Sequence, residues 1–308
     1  MWLFHNKNKY EYEYDNIYSL KKYVDKKKII FYVFLVVLIL LALILITYYT
    51  IDTRKRISKE ESFEKQVIEY QQKVEENKRK EEERQAKIPK LTDEGKENIK
   101  HIYKSDIKRA FITFDDGPSN NTGYILDILK EKNVKATFFV LGMQAEKFPE
   151  TLKRIYDEGH YIANHGYSHS YSSIYSSPEE VLNEYNKCNQ IVANSLGVPE
   201  YNSHLFRFPG GSVGGKYKQI KSQAIPLLEQ NGIVYVDWNA LTGDSEKQNP
   251  SEEYLMNNLQ QTTKGKNSLV VLMHDSEAKK ITADTLPEVI EYLQQEGYQF
   301  QNFYDVMK

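Results

Sequence analysis

Apolar positions fall into three regimes along this chain. Residues 1–28 are polar and rich in Tyr and Lys. Residues 29–51 then run for about 23 positions without one charge. At ~1.5 Å per residue, a helix of that length crosses a hydrocarbon core ~30 Å thick with some tilt. A buried core helix normally keeps a polar face, which this stretch lacks. A cleaved leader has a shorter apolar run and a small-residue cleavage site, and "LILITYYTIDTRKR" offers none. The pattern predicts one transmembrane helix, with Tyr48 and Tyr49 in an interfacial belt. The chain then turns charge-dense, as in "KQVIEYQQKVEENKRKEEERQAKIPK". Phe63, Val67, Tyr70 and Val74 keep a 4-3-4 spacing. That seam is about two heptads long, short of the ~3–4 that argue for a coiled coil. Strong helix formers and opposite charges at i,i+4 predict a solvated helical stalk that stops near Pro89.

From about residue 105 the pattern alternates. Strand-like runs are "AFITF", "ATFFVL", "YIAN", "LFRF", "IVYVDW", "SLVVLMH" and "YQFQNF". Amphipathic runs such as "GYILDILKEKN" and "PEEVLNEYNKCNQIVANSLG" separate them, several closing on Gly or Asn-Gly as helices do. Alternation of this kind predicts parallel strands joined by crossover helices. About seven strands in ~200 residues fit an α/β fold of the distorted (β/α) barrel type, with a doubly wound sheet as the alternative. The expected organisation is a tail over 1–28, a membrane helix over 29–51, a charged stalk or linker over 52–104 and a barrel domain over 105–308.

Composition removes several function classes. The 308 residues carry a formal charge of -2, so bulk electrostatics give nucleic-acid binding no support. No glycine-rich fingerprint follows the first strand, so a dinucleotide has no positive signal. Cys188 is the single cysteine, which excludes an internal disulfide and a cysteine-built zinc site. Lysines precede the apolar run at 7, 9, 21, 22, 26, 27 and 28, against Arg54, Lys55, Arg56 and Lys59 after it. The positive-inside rule then puts the N-terminus in the cytoplasm and the bulk of the chain outside the cell membrane.

In β/α folds, reactive groups gather at the C-terminal ends of the strands. The first predicted strand ends in Asp115 and Asp116, and the third runs into "NHGYSH", with His165 and His169. The fourth ends in "RFPGG", with Arg207, and the fifth in "DWNALTGD", with Asp237, Trp238 and Asp244. The sixth ends in His274 and Asp275. Each alone has a plain structural reading: Asp-Asp-Gly-Pro makes a good turn, and a histidine pair is commonly a surface loop. Five such strand ends at one face argue for a site. Two histidines with one carboxylate form a ligand set for zinc and similar cations. One aspartate of the pair would bind such a cation, which activates water and polarises a carbonyl, while its neighbour serves as base. Arg207 would orient and balance that base. His274 would protonate a leaving amine, with Asp237 holding the imidazole, and "PGG" would offer a backbone N–H to an oxyanion.

"TFDDGP", "H-x-x-x-H", "R-F-P-G-G", "DW" and "L-M-H", in that order, resemble the five motifs of the polysaccharide deacetylases, the NodB-homology or carbohydrate esterase family 4 enzymes. The resemblance covers about residues 105–308. It implies a distorted (β/α) barrel with a divalent metal, usually zinc, with cobalt, manganese or nickel as alternatives. It assigns Asp115 as base, Asp116, His165 and His169 as metal ligands, and Arg207 as the group that orders the base. The oxyanion N–H falls near Gly210, and Asp237 and Trp238 take the fourth motif. Leu272 is a pocket wall and His274 the general acid. Gly166 stands where the family usually has Ser or Thr, so a hydroxyl supporting His165 is missing. Two glycines follow Pro209 where a bulky groove-lining residue is common.

An anchored member of this layout implies removal of N-acetyl groups from N-acetylglucosamine or N-acetylmuramic residues of cell-wall peptidoglycan. Rival readings are an O-acetyl esterase or deacetylase of another surface polysaccharide, and a non-catalytic glycan-binding membrane protein. The oligomeric state is left open.

Overall fold

The computed structural model describes the backbone of residues 5–308 and the side chains from 13 onward, except those at 18, 21, 22 and 24. The side chains of Lys7, Lys9, Lys21 and Lys22, used above for orientation, thus lie outside the described residues. The chain falls into two units, one up to Lys80 and one spanning Glu81–Lys308.

Helix α1 (His5–Ala86) contains the charge-free run, with side chains exposed throughout that stretch. Among the described residues it is the one helix long and apolar enough to cross a membrane. It stops three residues before Pro89, as expected. Its second half carries i,i+4 ion pairs such as Lys73–Glu69 at 2.8 Å.

The second unit continues with α2 (Asp93–Lys100), β1 (Arg109–Asp115), α3 (Asn120–Glu131), β2 (Thr137–Val140), α4 (Gly142–Lys147), α5 (Pro149–Asp157) and β3 (Tyr161–Asn164). Then come α6 (Tyr171–Ile174), α7 (Pro178–Leu196), β4 (Leu205–Phe206), α8 (Lys218–Gln230), β5 (Val234–Tyr235) and β6 (Ala240–Leu241). The last elements are α9 (Glu252–Thr263), β7 (Ser268–His274), α10 (Lys280–Gln295) and β8 (Gln299–Gln301). All strand pairs are parallel, in the order β5-β4-β3-β2-β1-β7-β6. β8 pairs with the first half of β1, on the side where β2 takes over further along.

Chain connectivity shows that this sheet is curled. Six strand spacings of ~4.8 Å would set the edges of a flat sheet ~29 Å apart. Yet residues 236–239 alone join edge strand β5 to edge strand β6, a reach of at most ~19 Å over five Cα steps. The sheet is therefore a distorted, incompletely closed (β/α) barrel, as the alternating pattern predicted. The one strand not foreseen is β6. Its two residues lie inside the stretch read as the end of the fifth strand, which itself stops at Tyr235.

Period-two alternation sorts β1 into two faces. Ala110, Ile112 and Phe114 pack outward with the helices, beside Leu126, Leu286 and Val289. Phe111 points inward with Phe139, Tyr161, Val270 and Phe303. Each of these fully buried aromatics contributes ~1.5–3 kcal/mol of transfer free energy. Ile99 and Ile102, at and just after the end of α2, and the C-terminal Val306 and Met307 complete this plug at the N-terminal end of the barrel. The compact unit thus begins at Glu81, not 105: α2 belongs to it, fixed by the Thr92 N–H donating to the Met307 carbonyl at 3.1 Å. Its charged sequence, "DEGKENIK", carries too few apolar residues to stand out from the stalk. With one end of the barrel filled by hydrocarbon, the polar side chains collect at the other.

Candidate active site

Alternation along β1 sends Asp115 into the barrel behind Phe111 and Thr113. Asp116 follows with φ +75°, a left-handed turn that aims the second carboxylate elsewhere. Arg207, fully buried just after β4, donates from Nη1 to Asp115 Oδ1 at 2.8 Å and to Thr113 Oγ1 at 2.8 Å. Its remaining donors go to the carbonyls of Val236 at 3.2 Å and Asp237 at 3.1 Å. Its guanidinium lies 3.9 Å above the Phe139 ring centroid. This is the expected balance for the carboxylate pair. Burial still holds the Asp115 pKa above the ordinary carboxylate range, against the lowering pull of Arg207 and His274.

Asp116, His165 and His169 present ligand atoms within 4.8 Å of one another. Asp116 Oδ1 lies 3.6 Å from His165 Nε2 and 3.3 Å from His169 Nε2, and it is buried with no hydrogen-bond partner. His165 Nδ1 sits 2.8 Å from the Arg207 carbonyl, an acceptor only, so the ring proton is on Nδ1 and Nε2 keeps a lone pair. Burial lowers the His165 pKa to about 3, so the ring is neutral. A buried carboxylate oxygen facing two imidazole Nε2 atoms lacks a positive centre, and a divalent cation fits that donor set.

Gly166 has φ +85° in the loop between the histidines, a conformation glycine adopts freely. The hydroxyl missing at this position has a counterpart in Glu184 of α7. One oxygen of this buried carboxylate accepts from the Tyr167 N–H at 2.7 Å and the Ser168 N–H at 2.8 Å. The other accepts from Ser168 Oγ at 2.7 Å. Glu184 lies one turn from Cys188 on the inner face of α7, and its surroundings in sequence read as an ordinary amphipathic helix.

His274 faces this group from β7, but Asp237 is not its partner. Asp244 Oδ1 lies 2.8 Å from His274 Nδ1, and Asp244 Oδ2 accepts from the His274 backbone N–H at 2.8 Å and Thr282 Oγ1 at 2.7 Å. The reason is the unforeseen β6. Asp237 follows β5 and Asp244 follows β6, on opposite edges of the sheet, and Leu241 of β6 is in register with Leu272 of β7. Asp237 instead accepts from the Ser212 N–H at 2.9 Å and Ser212 Oγ at 2.5 Å, bracing the turn after Pro209. Burial lowers the His274 pKa, but the hydrogen bond and charge of Asp244, with Asp115 and Asp116, outweigh it and raise it to about 9.

Asp115, Asp116, His165, His169, Asp244 and His274 line one cavity of about 380 Å³, walled also by Tyr171, Gly210, Trp238, Leu241 and Leu272. Asp115, Asp116, His165, His169, Gly210, Trp238, Leu272 and His274 thus converge as the sequence predicted, while Arg207 and Asp237 support them from behind. Among the described residues no Lys or Arg lines the cavity, whereas Glu246 stands with Asp244 at its wall. Asp275, beside His274, is fully buried, and burial raises its pKa to about 7. It accepts from Thr122 Oγ1 at 2.6 Å, and its backbone carbonyl accepts from Ser119 Oγ at 2.6 Å. It thereby holds the loop that follows Asp116.

Residues 103–232 match the family model described as polysaccharide deacetylase. YheN of Bacillus subtilis (strain 168), a relative named for that family, is 35% identical over 217 residues, covering 68% of this chain and 73% of YheN. A peptidoglycan-N-acetylglucosamine deacetylase of Bacillus cereus is 30% identical over 207 residues, covering 64% of this chain and 70% of that enzyme. Among solved structures, a Streptococcus mutans CE4 esterase superposes with a TM-score of 0.61 at 31% identity, covering 67% of this chain and 90% of that one. Sequence, fold and relatives agree: the chain belongs to the polysaccharide deacetylases of carbohydrate esterase family 4.

Proposed function

We propose that this protein is a metal-dependent N-deacetylase of cell-wall glycan, acting on N-acetylglucosamine residues of peptidoglycan. The observation that carries the proposal is the partnerless Asp116 Oδ1 between two histidine Nε2 atoms, with Asp115 beside it and His274 across the cavity. Asp116, His165 and His169 would hold the cation, zinc by their chemistry. When bound, the metal supplies Lewis acidity toward the acetyl carbonyl and acidifies water.

The chain's own groups carry the protons. Asp115 Oδ1 is occupied by Arg207, so Oδ2, 3.8 Å from His165 Nε2, is the oxygen free to take a proton from the attacking water. The N–H of Gly210 serves the developing oxyanion. His274, its Nδ1–H held by Asp244, gives a proton from Nε2 to the departing nitrogen, so water and amide become acetate and amine. A cavity with Glu246 at its wall and, among the described residues, no Lys or Arg favours an uncharged N-acetylglucosamine over a muramic residue, whose lactyl carboxylate would meet Glu246. The name of the Bacillus cereus relative supports the same sugar.

In this reading residues 1–28 are a cytoplasmic tail, 29–51 anchor the chain in the cell membrane, and the charged part of α1 is a spacer. The catalytic unit works outside. The test is acetate release from purified peptidoglycan by the full chain in detergent, with chelator and then with added zinc. Chelator-sensitive release restored by zinc is expected. Release that ignores the chelator, or release from O-acetyl but not N-acetyl substrates, would overturn the proposal.

A further inference from the structure

We propose that Tyr171, backed by Tyr217 and fitted over Gly210, is the stacking wall of a sugar-binding subsite that receives the apolar face of the reacting pyranose ring. The proposal rests on the glycan-deacetylase reading above and adds the residue that grips the sugar. Tyr171 opens α6, just past His169, and is 40% exposed while lining the cavity. An exposed aromatic at the mouth of a polar cavity offers what the apolar C–H face of a pyranose needs.

The ring is set in place from behind. Its centroid lies 5.5 Å from that of His169, 5.8 Å from Tyr175 and 6.5 Å from Tyr217. Tyr175 is buried, and its hydroxyl donates to the Pro209 carbonyl at 2.7 Å, tying the aromatic cluster to the turn that carries Gly210. Gly210 itself has φ +74°, and a Cβ there would lie 2.5 Å from the Tyr171 hydroxyl. The space left by the absent side chain is therefore the seat of Tyr171. The bulk that sequence comparison found missing from the third motif is returned to the cavity wall by a residue that follows the second. A tyrosine held in this way has little rotamer freedom left to lose when a sugar docks.

The experiment uses the zinc-loaded full chain in detergent and two substrates, a tetramer of β-1,4-linked N-acetylglucosamine and a small acetate ester without a ring. For Tyr171→Ala, KM for the tetramer should rise about tenfold with little change in kcat, the signature of lost uniform binding. The tetramer-to-ester ratio of kcat/KM should fall by the same factor. Tyr171→Phe should keep KM within about threefold of the starting protein. Gly210→Ala should raise KM, and adding Tyr171→Phe should recover part of the loss. Equal losses on both substrates, or an unchanged tetramer KM in Tyr171→Ala, would overturn the proposal. If the unmutated chain releases no acetate from the tetramer, it is the deacetylase reading that fails. Direct titration of the tetramer then decides the subsite: weaker binding by Tyr171→Ala upholds it, and equal binding removes it.

Discussion

Replacing Asp244 by Asn removes the charge that keeps His274 protonated and leaves the fold of the pair nearly isosteric. The raised value of about 9 against the ordinary 6.5 is a factor of about 300 in proton affinity. Without the Asp244 carboxylate, burial lowers the value against the remaining pull of Asp115 and Asp116, and the ordinary 6.5 serves as the reference for the variant. With these two values, the protonated fraction at pH 6 differs by only ~1.3-fold. At pH 8 it is ~0.9 in the parent and ~0.03 in the variant, a gap of about 30-fold. A general acid works only while it holds its proton, so activity should fall as pH rises through the His274 pKa. The descending limb of amide turnover should move from near pH 9 toward pH 6.5. The assay is acetate release from peptidoglycan between pH 5 and 10, with Asp237→Asn alongside, whose carboxylate serves Ser212. Superimposed limbs for parent and Asp244→Asn, or a shift in Asp237→Asn alone, would refute the assignment. The same pair stabilises the fold. A raised imidazole pKa means stability fully present below pH ~6.5 and lost through about pH 9, readable by denaturant titration.

Three further outcomes are expected. Asp116→Ala and His165→Ala should each abolish stoichiometric zinc binding by metal analysis of the purified chain, and full zinc content in either would remove it from the ligand set. Asp115→Asn should keep zinc yet lose ~10²–10⁴ in kcat, and the Arg207 cation left without its counter-charge should cost ~3–5 kcal/mol of stability. Glu184→Ala should weaken zinc binding by ~10–100-fold through the loop it clamps, with Glu184→Gln in between; unchanged affinity in the Ala variant would show that the loop holds itself.

The strong signals in the sequence were those in which local chemistry and element type agree. Long β-branched and aromatic runs marked β1 and β7, and the polar residues at their ends, Asp115, Asp116 and His274, stand where a β/α fold gathers its chemistry. The histidine pair and Arg207 were legible for the same reason. β6 was not, although β4 and β5 are equally short and lie in runs read as strands. β6 owes its existence to pairing with β7 and not to its two residues, so Asp244 was read as part of the wrong edge and Asp237 received its role. Glu184 clamps a loop distant in the chain, and no local pattern sets it apart from an ordinary helix face. Asp275 stands at a strand end, but its tie to Thr122, far off in the chain, has no local signal.

One guanidinium ties together pieces of chain made far apart. Arg207 joins Asp115 from the first strand to the carbonyls of Val236 and Asp237, in the short crossing between the two sheet edges. Until that crossing is laid down, the Asp115 carboxylate has no fixed counter-ion and no fixed direction. The Asp115–Arg207 pair is therefore complete only with the finished enclosure, and a nascent or partly unravelled copy lacks it.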